Sequence, residues 1–264
     1  MRIVALLGIR NEERYLRRCL EHLISQGIET CVIDNGSVDS TLDIARAFFG
    51  HGVIRIDSLP YEGYFDLEAM LTRQELLARE LDADWFIHHD ADEIRDPPAG
   101  FASLAEAIVF VDAQGFNAID FEEFVFLPHS LETSCEATDY VADMRHYYFF
   151  QPRDFHRINA WRKTADARLV PSAGHQVEFE GRKVFPEKFV LRHYIALSNG
   201  HFRRKYGERI YSERLMRERG WHRARDALKG KDFTPPASAD LKTLSPGSKT
   251  FDRSDPKRKH LFME

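Results

Sequence analysis

The sequence lacks the glycine-rich signatures of the common nucleotide-binding folds. No G-x-G-x-x-G follows the first predicted strand, and no G-x-x-x-x-G-K-[ST] occurs anywhere in the 264 residues. Those glycines let a backbone approach a pyrophosphate closely or cradle phosphate groups. Their absence argues against a dinucleotide cofactor and against P-loop chemistry.

Long apolar runs and cysteines are also scarce. No apolar run approaches the roughly 18 residues that a membrane-spanning helix requires. The apolar N-terminal stretch is not followed by an A-x-A-like cleavage site, so it favours a strand over a signal peptide. The only cysteines are Cys19, Cys31 and Cys135, and none has the spacing of metal ligands. Such sparse cysteines fit a reducing compartment, and we expect a cytoplasmic protein.

Positive charge is concentrated at the C-terminal end. From Arg192 onward there are 18 lysines and arginines against 9 aspartates and glutamates, while the preceding 191 residues carry 19 and 33. A basic segment of this kind forms either a solvated helical face or a peripheral contact with an anionic membrane. No RNP, zinc-finger or helix-turn-helix signature accompanies the charges, so we expect no nucleic-acid partner.

Apolar runs typical of buried strands alternate with stretches of helical periodicity. This alternation predicts an α/β protein with a mostly parallel sheet flanked by helices. Asn11 is the expected N-cap of the first helix, and Gly27 is expected to end it. The predicted strands cover residues 2–9, 29–35, 52–58, 82–89, 117–126, 157–163, 175–179 and 188–197. The predicted helices begin near residues 11, 42, 66, 101 and 201, and the last is basic.

Polar side chains follow each of the first four predicted strands. The carboxyl ends of parallel strands meet at one edge of a sheet, where ligands bind in such folds. We therefore expect one crevice lined by Arg10, Asn11, Asp34, Asn35, Asp57, Asp90 and Asp92. Carboxylate oxygens are the preferred ligands of hard cations, so this acidic edge predicts a Mg²⁺ or Mn²⁺ site.

Three motifs carry a resemblance to a known family. The chain reads N-E-E after the first strand, D-N-G-S-x-D-x-T after the second, and "HHDADE" after the fourth. In this order and spacing they resemble the family 2 glycosyltransferases of the GT-A fold, over about residues 3–96. "AGHQVEF" and "LRHYIALS" in the second half are similar to bacterial members. The resemblance implies a GT-A domain over residues 1–225, followed by a polar tail over residues 226–264.

The resemblance also implies a division of labour along the domain. Residues 1–96 would bind the nucleotide, residues 97–200 would hold the acceptor and complete the metal site, and residues 201–225 would form the basic helix. By the same resemblance, the nucleotide site would be lined by Arg10, Asn11 and Glu12. Asp34 and Asn35 would face the base or ribose.

The carboxylates of the "HHDADE" motif, Asp90 and Asp92, would form the D-x-D pair at the cation and the sugar. The resemblance implies that Arg73 approaches the base or the diphosphate and that Asp90 contacts the ribose or sugar. Asp92 would bind a cation that bridges the two phosphates, and His193 stands where a late histidine ligand is often found. Alternate residues of an extended segment share a face, so Asp90 and Asp92 can point into the site together while Glu93 points away.

The catalytic base is not marked by any motif. An inverting transferase needs a carboxylate or an imidazole within reach of the acceptor hydroxyl. Asp120, Glu122 and His175 are the leading candidates, with Glu123 and Asp166 as further possibilities. The absence of a Q-x-x-R-W signature argues against a processive synthase.

These features predict a metal-dependent glycosyltransferase that uses a nucleotide-diphosphate sugar and an acceptor that the sequence does not identify. Two other functions fit the same fold. One is a sugar-nucleotide or glycan-binding protein that has lost transfer activity, and the other is a nucleotidyltransferase.

Overall fold

A computed structural model describes residues 1–231 and 233–263. The chain divides into two compact units. Unit 1 comprises residues 1–61, 67–121 and 155–191, and unit 2 comprises residues 62–66, 122–154 and 192–264. Both units are built from separate stretches of chain. The boundaries at residues 96, 200 and 225 concern functional roles along the sequence and stay predictions.

The described residues form ten strands and eight α-helices. The strands are β1 (Ile3–Ile9), β2 (Glu29–Asp34), β3 (Val53–Ser58), β4 (Trp85–Asp90), β5 (Glu93–Asp96), β6 (Ala118–Phe126), β7 (His146–Phe150), β8 (Ile158–Arg162), β9 (Phe189–Tyr194) and β10 (Lys242–Thr243). The helices are α1 (Leu16–Ser25), α2 (Thr41–Ala47), α3 (Leu67–Glu80), α4 (Leu104–Ala113), α5 (Tyr140–Asp143), α6 (Asn199–Phe202), α7 (Glu213–Glu218) and α8 (Arg223–Asp226).

Unit 1 contains a mixed sheet. Strands β3, β2, β1 and β4 lie side by side and are parallel. Strand β8 then pairs antiparallel with β4, and the first residues of β6 pair antiparallel with β8. The predicted α/β class is confirmed, but the prediction of a mostly parallel sheet holds only for the first four strands. An apolar run buried on both faces looks the same in either direction, so the sequence pattern cannot reveal that β8 is reversed.

Two predicted elements of unit 1 are wrong. Asn11 is not an N-cap: helix α1 begins at Leu16, and Asn11 has a left-handed backbone with φ 55°. Its side chain binds another loop instead. The predicted strand over residues 175–179 is reduced to isolated bridges. The hydroxyl of Ser172 accepts from the backbone N–H of Gln176 at 2.9 Å and donates to its carbonyl at 2.6 Å, so a side chain takes the place of a ladder partner.

Unit 2 contains the end of β6, which pairs antiparallel with β7, and the short β10, which pairs with β7. The polar tail packs on this sheet. Phe251 stacks on Phe124 with 4.3 Å between ring centres, and His260 stacks on Phe150 at 3.8 Å. The described residues of the tail are therefore part of the folded unit, and Asp232 and Glu264 lie outside the described residues.

The single basic helix predicted from residue 201 is wrong. The segment forms α6, a π-helical turn over residues 203–207, and a separate helix α7. Ser212 caps α7 by accepting from the N–H of Leu215, and Ile210 accepts a backbone hydrogen bond from Phe65. These local bonds and Gly207 interrupt the helical ladder. Contact of this segment with an anionic membrane stays a prediction.

None of the helices described here is long and apolar enough to cross a membrane.

Candidate functional site

The loops that follow β1 and β2 are tied together by hydrogen bonds. Asn11 Oδ1 accepts from Val38 N at 2.9 Å, and Asn11 N donates to the hydroxyl of Ser37 at 3.0 Å. Glu12 N donates to Thr41 Oγ1 at 2.7 Å. Side chains of each motif thus bind the backbone of the other. The N-E-E and D-N-G-S-x-D-x-T motifs form one structure, and we name it the paired loops (residues 10–13 and 35–41).

Arg10 closes the paired loops from the side. Its guanidinium lies 3.3 Å from the centre of the Tyr61 ring. Its Nη1 atom donates to the carbonyl of Asn35 at 2.7 Å and also to that of Gly36. Gly36 has φ 65°, and a Cβ there would lie 3.1 Å from Tyr61 Cβ, so the turn requires glycine. Tyr61 could not be predicted as part of this site, because it lies after β3 and belongs to none of the three sequence motifs.

Asp34 and Asn35 occupy the end of β2 and are both buried. Both carboxylate oxygens of Asp34 lie 3.2 Å from Ser37 N, so a local turn orients the carboxylate. The amide of Asn35 donates to the carbonyls of Leu59 at 3.1 Å and Pro60 at 3.0 Å. Asn35 therefore anchors the strand ends to each other, whereas Asp34 is the charged group at this edge.

Strand register brings Asp34 at the end of β2 and Asp90 at the end of β4 to the same edge of the unit 1 sheet. Asp34 pairs with Ile9 of β1, and Asp90 pairs with Gly8 on the other side of the same strand. Asp90 is exposed, whereas Asp92 in the turn after β4 and Glu93 at the start of β5 are buried. The convergence of strand ends predicted from the sequence is thus present for these strands.

Arg73 belongs to an ion-pair cluster on α3 and β3. Its Nε donates to Asp57, and its Nη1 lies 3.3 Å from a carboxylate oxygen of Glu80. The hydrogen bond from Arg73 holds the pKa of the Asp57 carboxyl below its usual range. These two carboxylates balance the charge of Arg73 in this state, so a diphosphate would have to compete with them.

The two histidines ahead of the D-x-D turn (residues 90–93, which include Asp90 and Asp92) are buried and neutral. Burial lowers the pKa of His88 to about 4 and that of His89 to about 3. His88 Nδ1 lies 2.7 Å from Gln74 Oε1, and His89 Nδ1 donates to the carbonyl of Asp90 at 2.7 Å. Both imidazoles therefore support the strand beneath the turn.

The predicted metal ligands lie in different units, Asp92 in unit 1 and His193 in unit 2. His193 is buried, and its Nδ1 lies 2.6 Å from Glu123 Oε1. A carboxylate partner at one ring nitrogen is typical of histidines that bind a metal through the other. Among the described residues, no three His, Cys, Asp or Glu side chains form a group that could hold a metal. A cation bound at Asp92 would need further oxygen atoms from a ligand, which fits Mg²⁺ or Mn²⁺ bound with phosphates.

The three candidates for catalysis have different surroundings. Asp120 is 0% exposed, and its Oδ1 accepts from the backbone of Arg157 at 2.8 Å while Oδ2 lies 3.1 Å from Lys188 Nζ. Glu122 lies in unit 2 and forms an ion pair with Arg253 at 2.5 Å. The contacts of Asp120 with the Arg157 backbone and with Lys188 suit this carboxylate for holding β6 and β8 in place.

His175 is held by Arg157. Nη1 of Arg157 lies 3.1 Å from Nδ1 of His175, and the His175 ring stacks on His156 with 5.2 Å between centres. Because an arginine only donates, Nδ1 of His175 accepts, and the proton of the neutral ring is on Nε2. The contact with Arg157 therefore fixes both the orientation and the tautomer of the His175 ring.

A comparison with known protein families finds a match in the N-terminal region. The model of the family described as glycosyl transferase family 2 matches residues 6–62. Residues 6–62 are similar to glycosyl transferase family 2. The resemblance inferred from the motifs is confirmed, and the match runs from within β1 to just past β3 and includes both of the paired loops. The D-x-D turn and the later histidines lie beyond it.

Solved structures give weaker similarities. S. aureus TarS, residues 1–349, matches with 12% identity and a TM-score of 0.43 over 74% of this chain and 60% of TarS 1–349. Its complex with UDP-GlcNAc matches with 12% identity and a TM-score of 0.42 over 73% of this chain and 58% of that chain. A Mycobacterium tuberculosis glucosyl-3-phosphoglycerate synthase, solved with Mn²⁺ and UDP, matches with 20% identity and a TM-score of 0.32 over 48% and 44%. This chain thus spans about 60% of TarS 1–349 and less than half of the synthase. No curated protein matches the chain significantly.

Proposed function

We propose that this protein transfers a sugar from a nucleotide-diphosphate sugar to an acceptor, with the help of a divalent cation. The observation that carries the proposal is the pair of loops in the family 2 region, which hold Asp34 at the sheet edge next to the strand end of Asp90. Nucleotide ligands bind at this edge of parallel strands. Arg10, Asn11 and Glu12 would shape the pocket for the nucleotide, and Asp34 would contact its base or ribose.

Asp92 and His193 are the residues that we expect to hold the cation. A divalent cation neutralises the charge that grows on a diphosphate leaving group as the glycosidic bond breaks. Glu123 would keep Nδ1 of His193 engaged and so fix the orientation of the ring. Asp90 would contact the ribose or sugar, and Arg73 would exchange part of its pairing with Asp57 for the diphosphate.

On the acceptor side, His175 would contact the acceptor with a ring whose orientation is set by Arg157. Glu122 is the predicted base with the most direct test, because Glu122→Gln keeps its size and removes its basicity. Asp120→Asn tests the third candidate, although its buried contacts favour an effect on stability.

The test of the whole proposal is a panel of sugar nucleotides, UDP-GlcNAc among them, incubated with the protein and Mn²⁺. Release of a nucleoside diphosphate supports transfer or donor hydrolysis. Release of pyrophosphate from a nucleoside triphosphate and a sugar phosphate would instead show a nucleotidyltransferase. Binding without turnover on every donor would show a binding protein that has lost transfer.

Asp34→Ala should raise the KM for the donor more than it lowers kcat. The carboxylate would make the same contact in the ground state and in the transition state, so its loss removes uniform binding. We expect an increase in Kd for UDP with Mn²⁺ of about tenfold, the effect of roughly 1.4 kcal/mol, measured by calorimetry. Asp39→Ala is the control, because the Asp39 carboxylate also accepts from backbone N–H groups in the paired loops, those of Glu13 and Thr41. An equal loss in both variants would reduce Asp34 to a support of the turn.

His193→Ala should weaken Mn²⁺ binding in the presence of UDP by about 10- to 100-fold, the range seen when groups around a metal are removed. His201→Ala is the matched control, because His201 is also buried in unit 2 and its Nδ1 accepts from Leu197 N at 3.2 Å. Titration of Mn²⁺ against bound UDP measures the affinity. If both variants bind Mn²⁺ as the unaltered protein does, His193 has a structural role only.

A further inference from the structure

A buried arginine lies directly behind the D-x-D turn. Arg95 of β5 is 0% exposed, and its guanidinium carbon lies 4.3 Å from the centre of the Phe121 ring. Its Nη2 donates to Glu93 Oε2 at 2.6 Å, to the carbonyl of His88 at 3.1 Å and to Asn159 Oδ1 at 3.2 Å. Removing two charges from water is costly, and apolar residues often replace such pairs without loss of stability. A buried pair at this position therefore calls for a role besides stability.

One side of this network holds the backbone of the turn. The carbonyl of His88 accepts from Arg95, and the N–H of Asp90 donates to Glu93 Oε2 at 3.3 Å. Asp92 lies in the chain between Asp90 and Glu93, the two residues that this second bond joins. The ion pair of Glu93 with Arg95 thus fixes the segment that carries both carboxylates of the motif.

The other side of the network holds a different loop. Asn159 of β8 is 0% exposed, and its Nδ2 donates to the carbonyls of Gly174 at 2.8 Å and His175 at 3.3 Å. Gly174 has φ 81°, and a Cβ there would lie 2.9 Å from His88 Nε2, so the loop packs against β4. The amide of Asn159 therefore joins Arg95 to the backbone that carries His175.

We infer that Arg95 and Asn159 are positioning residues that couple the D-x-D turn to the loop of His175. The path runs from the N–H of Asp90 through Glu93, Arg95 and Asn159 to the carbonyls of residues 174 and 175. Hydrogen bonds in a buried network reinforce one another, and ordering one end lowers the cost of ordering the other. Donor binding at the turn thereby orders the loop on the acceptor side. This inference rests on the proposed function, because it takes the turn as the donor site.

Asn159→Asp cuts the path at one bond. Its carboxylate still accepts from Arg95, but it cannot donate to the loop carbonyls. Asn117→Asp is the matched control, since Asn117 Nδ2 also donates to a carbonyl, that of Gly181 at 3.1 Å, while its Oδ1 accepts from Lys183 N. Arg95→Lys breaks the path at its centre, because a lysine ammonium cannot reproduce the planar guanidinium that bonds Glu93, His88 and Asn159 together. If one of the two test variants fails to fold, the other gives the answer.

The measurement is amide hydrogen exchange at residues 90–93 and 174–176, with and without UDP and Mn²⁺. In the unaltered protein and in Asn117→Asp, both segments should slow by at least about fivefold, the lower end of coupling between sites. In Asn159→Asp and Arg95→Lys, the turn should still slow while the loop exchanges as in the free protein.

Three results would overturn the inference. Slowing at the turn without slowing at residues 174–176 in the unaltered protein, or equal slowing of the loop in the test variants, would remove the coupling and leave the proposed function standing. No slowing in either segment of the unaltered protein would overturn the proposed donor site and the coupling together.

Discussion

Asp92→Asn should reduce kcat for sugar transfer by about 100- to 1,000-fold, a loss of roughly 2.7–4 kcal/mol of transition-state stabilisation. Asparagine keeps the shape of the side chain but removes the negative charge that would hold the cation. The turn itself should persist, because Glu93 and Arg95 anchor its backbone independently of Asp92. The measurement is donor turnover with Mn²⁺, together with thermal unfolding of the variant.

Asp112→Asn is the control for this change. Asp112 accepts from Trp85 Nε1 at 2.9 Å at the end of α4, and the oxygen of an asparagine amide can accept the same bond. Its activity should stay within about twofold of the unaltered protein, as for a substitution outside the site. Turnover by Asp92→Asn within about threefold of the unaltered protein, less than 1 kcal/mol, would show that Asp92 is not a metal ligand.

Phe251→Ala should lower the free energy of unfolding of unit 2 by about 3–5 kcal/mol, the usual cost of removing a buried phenylalanine. The Phe251 ring stacks on Phe124 and packs edge-on against Tyr147, with 5.5 Å between ring centres. Urea unfolding followed by near-ultraviolet circular dichroism measures the effect. The exposed Lys249→Ala is the control and should change the free energy by less than about 0.5 kcal/mol. A loss below about 1 kcal/mol for Phe251→Ala would mean that the tail only covers the sheet and does not complete its core.

The first half of the molecule follows closely from its sequence pattern. Strands β1 to β4 were predicted because each is a short apolar run ending in polar residues, and parallel pairing puts those ends at one edge. The positions of Asp34 and Asp90 on either side of β1 follow from that rule alone. The family match lies in this same region, where local pattern and fold agree.

Long-range partners are what the sequence could not provide. The sequence does not show that Asn159 completes the network of Glu93 and Arg95, because the contact between Arg95 and Asn159 joins residues 64 positions apart and depends on how β8 returns to the sheet. The stacking of Arg10 on Tyr61 joins residues 51 positions apart without any motif. The prediction of a single basic helix was wrong because local periodicity does not show the capping and backbone hydrogen bonds that interrupt the helix.

The paired loops have a consequence for altering the choice of donor. Residues 10–13 and 35–41 exchange side-chain-to-backbone bonds in both directions, so neither loop keeps its shape without the other. A chimaera that grafts one loop from a relative would bring foreign side chains to a backbone that expects Asn11 and Thr41. If the paired loops bind the nucleotide as proposed, its preference has to be changed through both loops together, and a library that diversifies them jointly will recover folded variants that single-loop libraries lose.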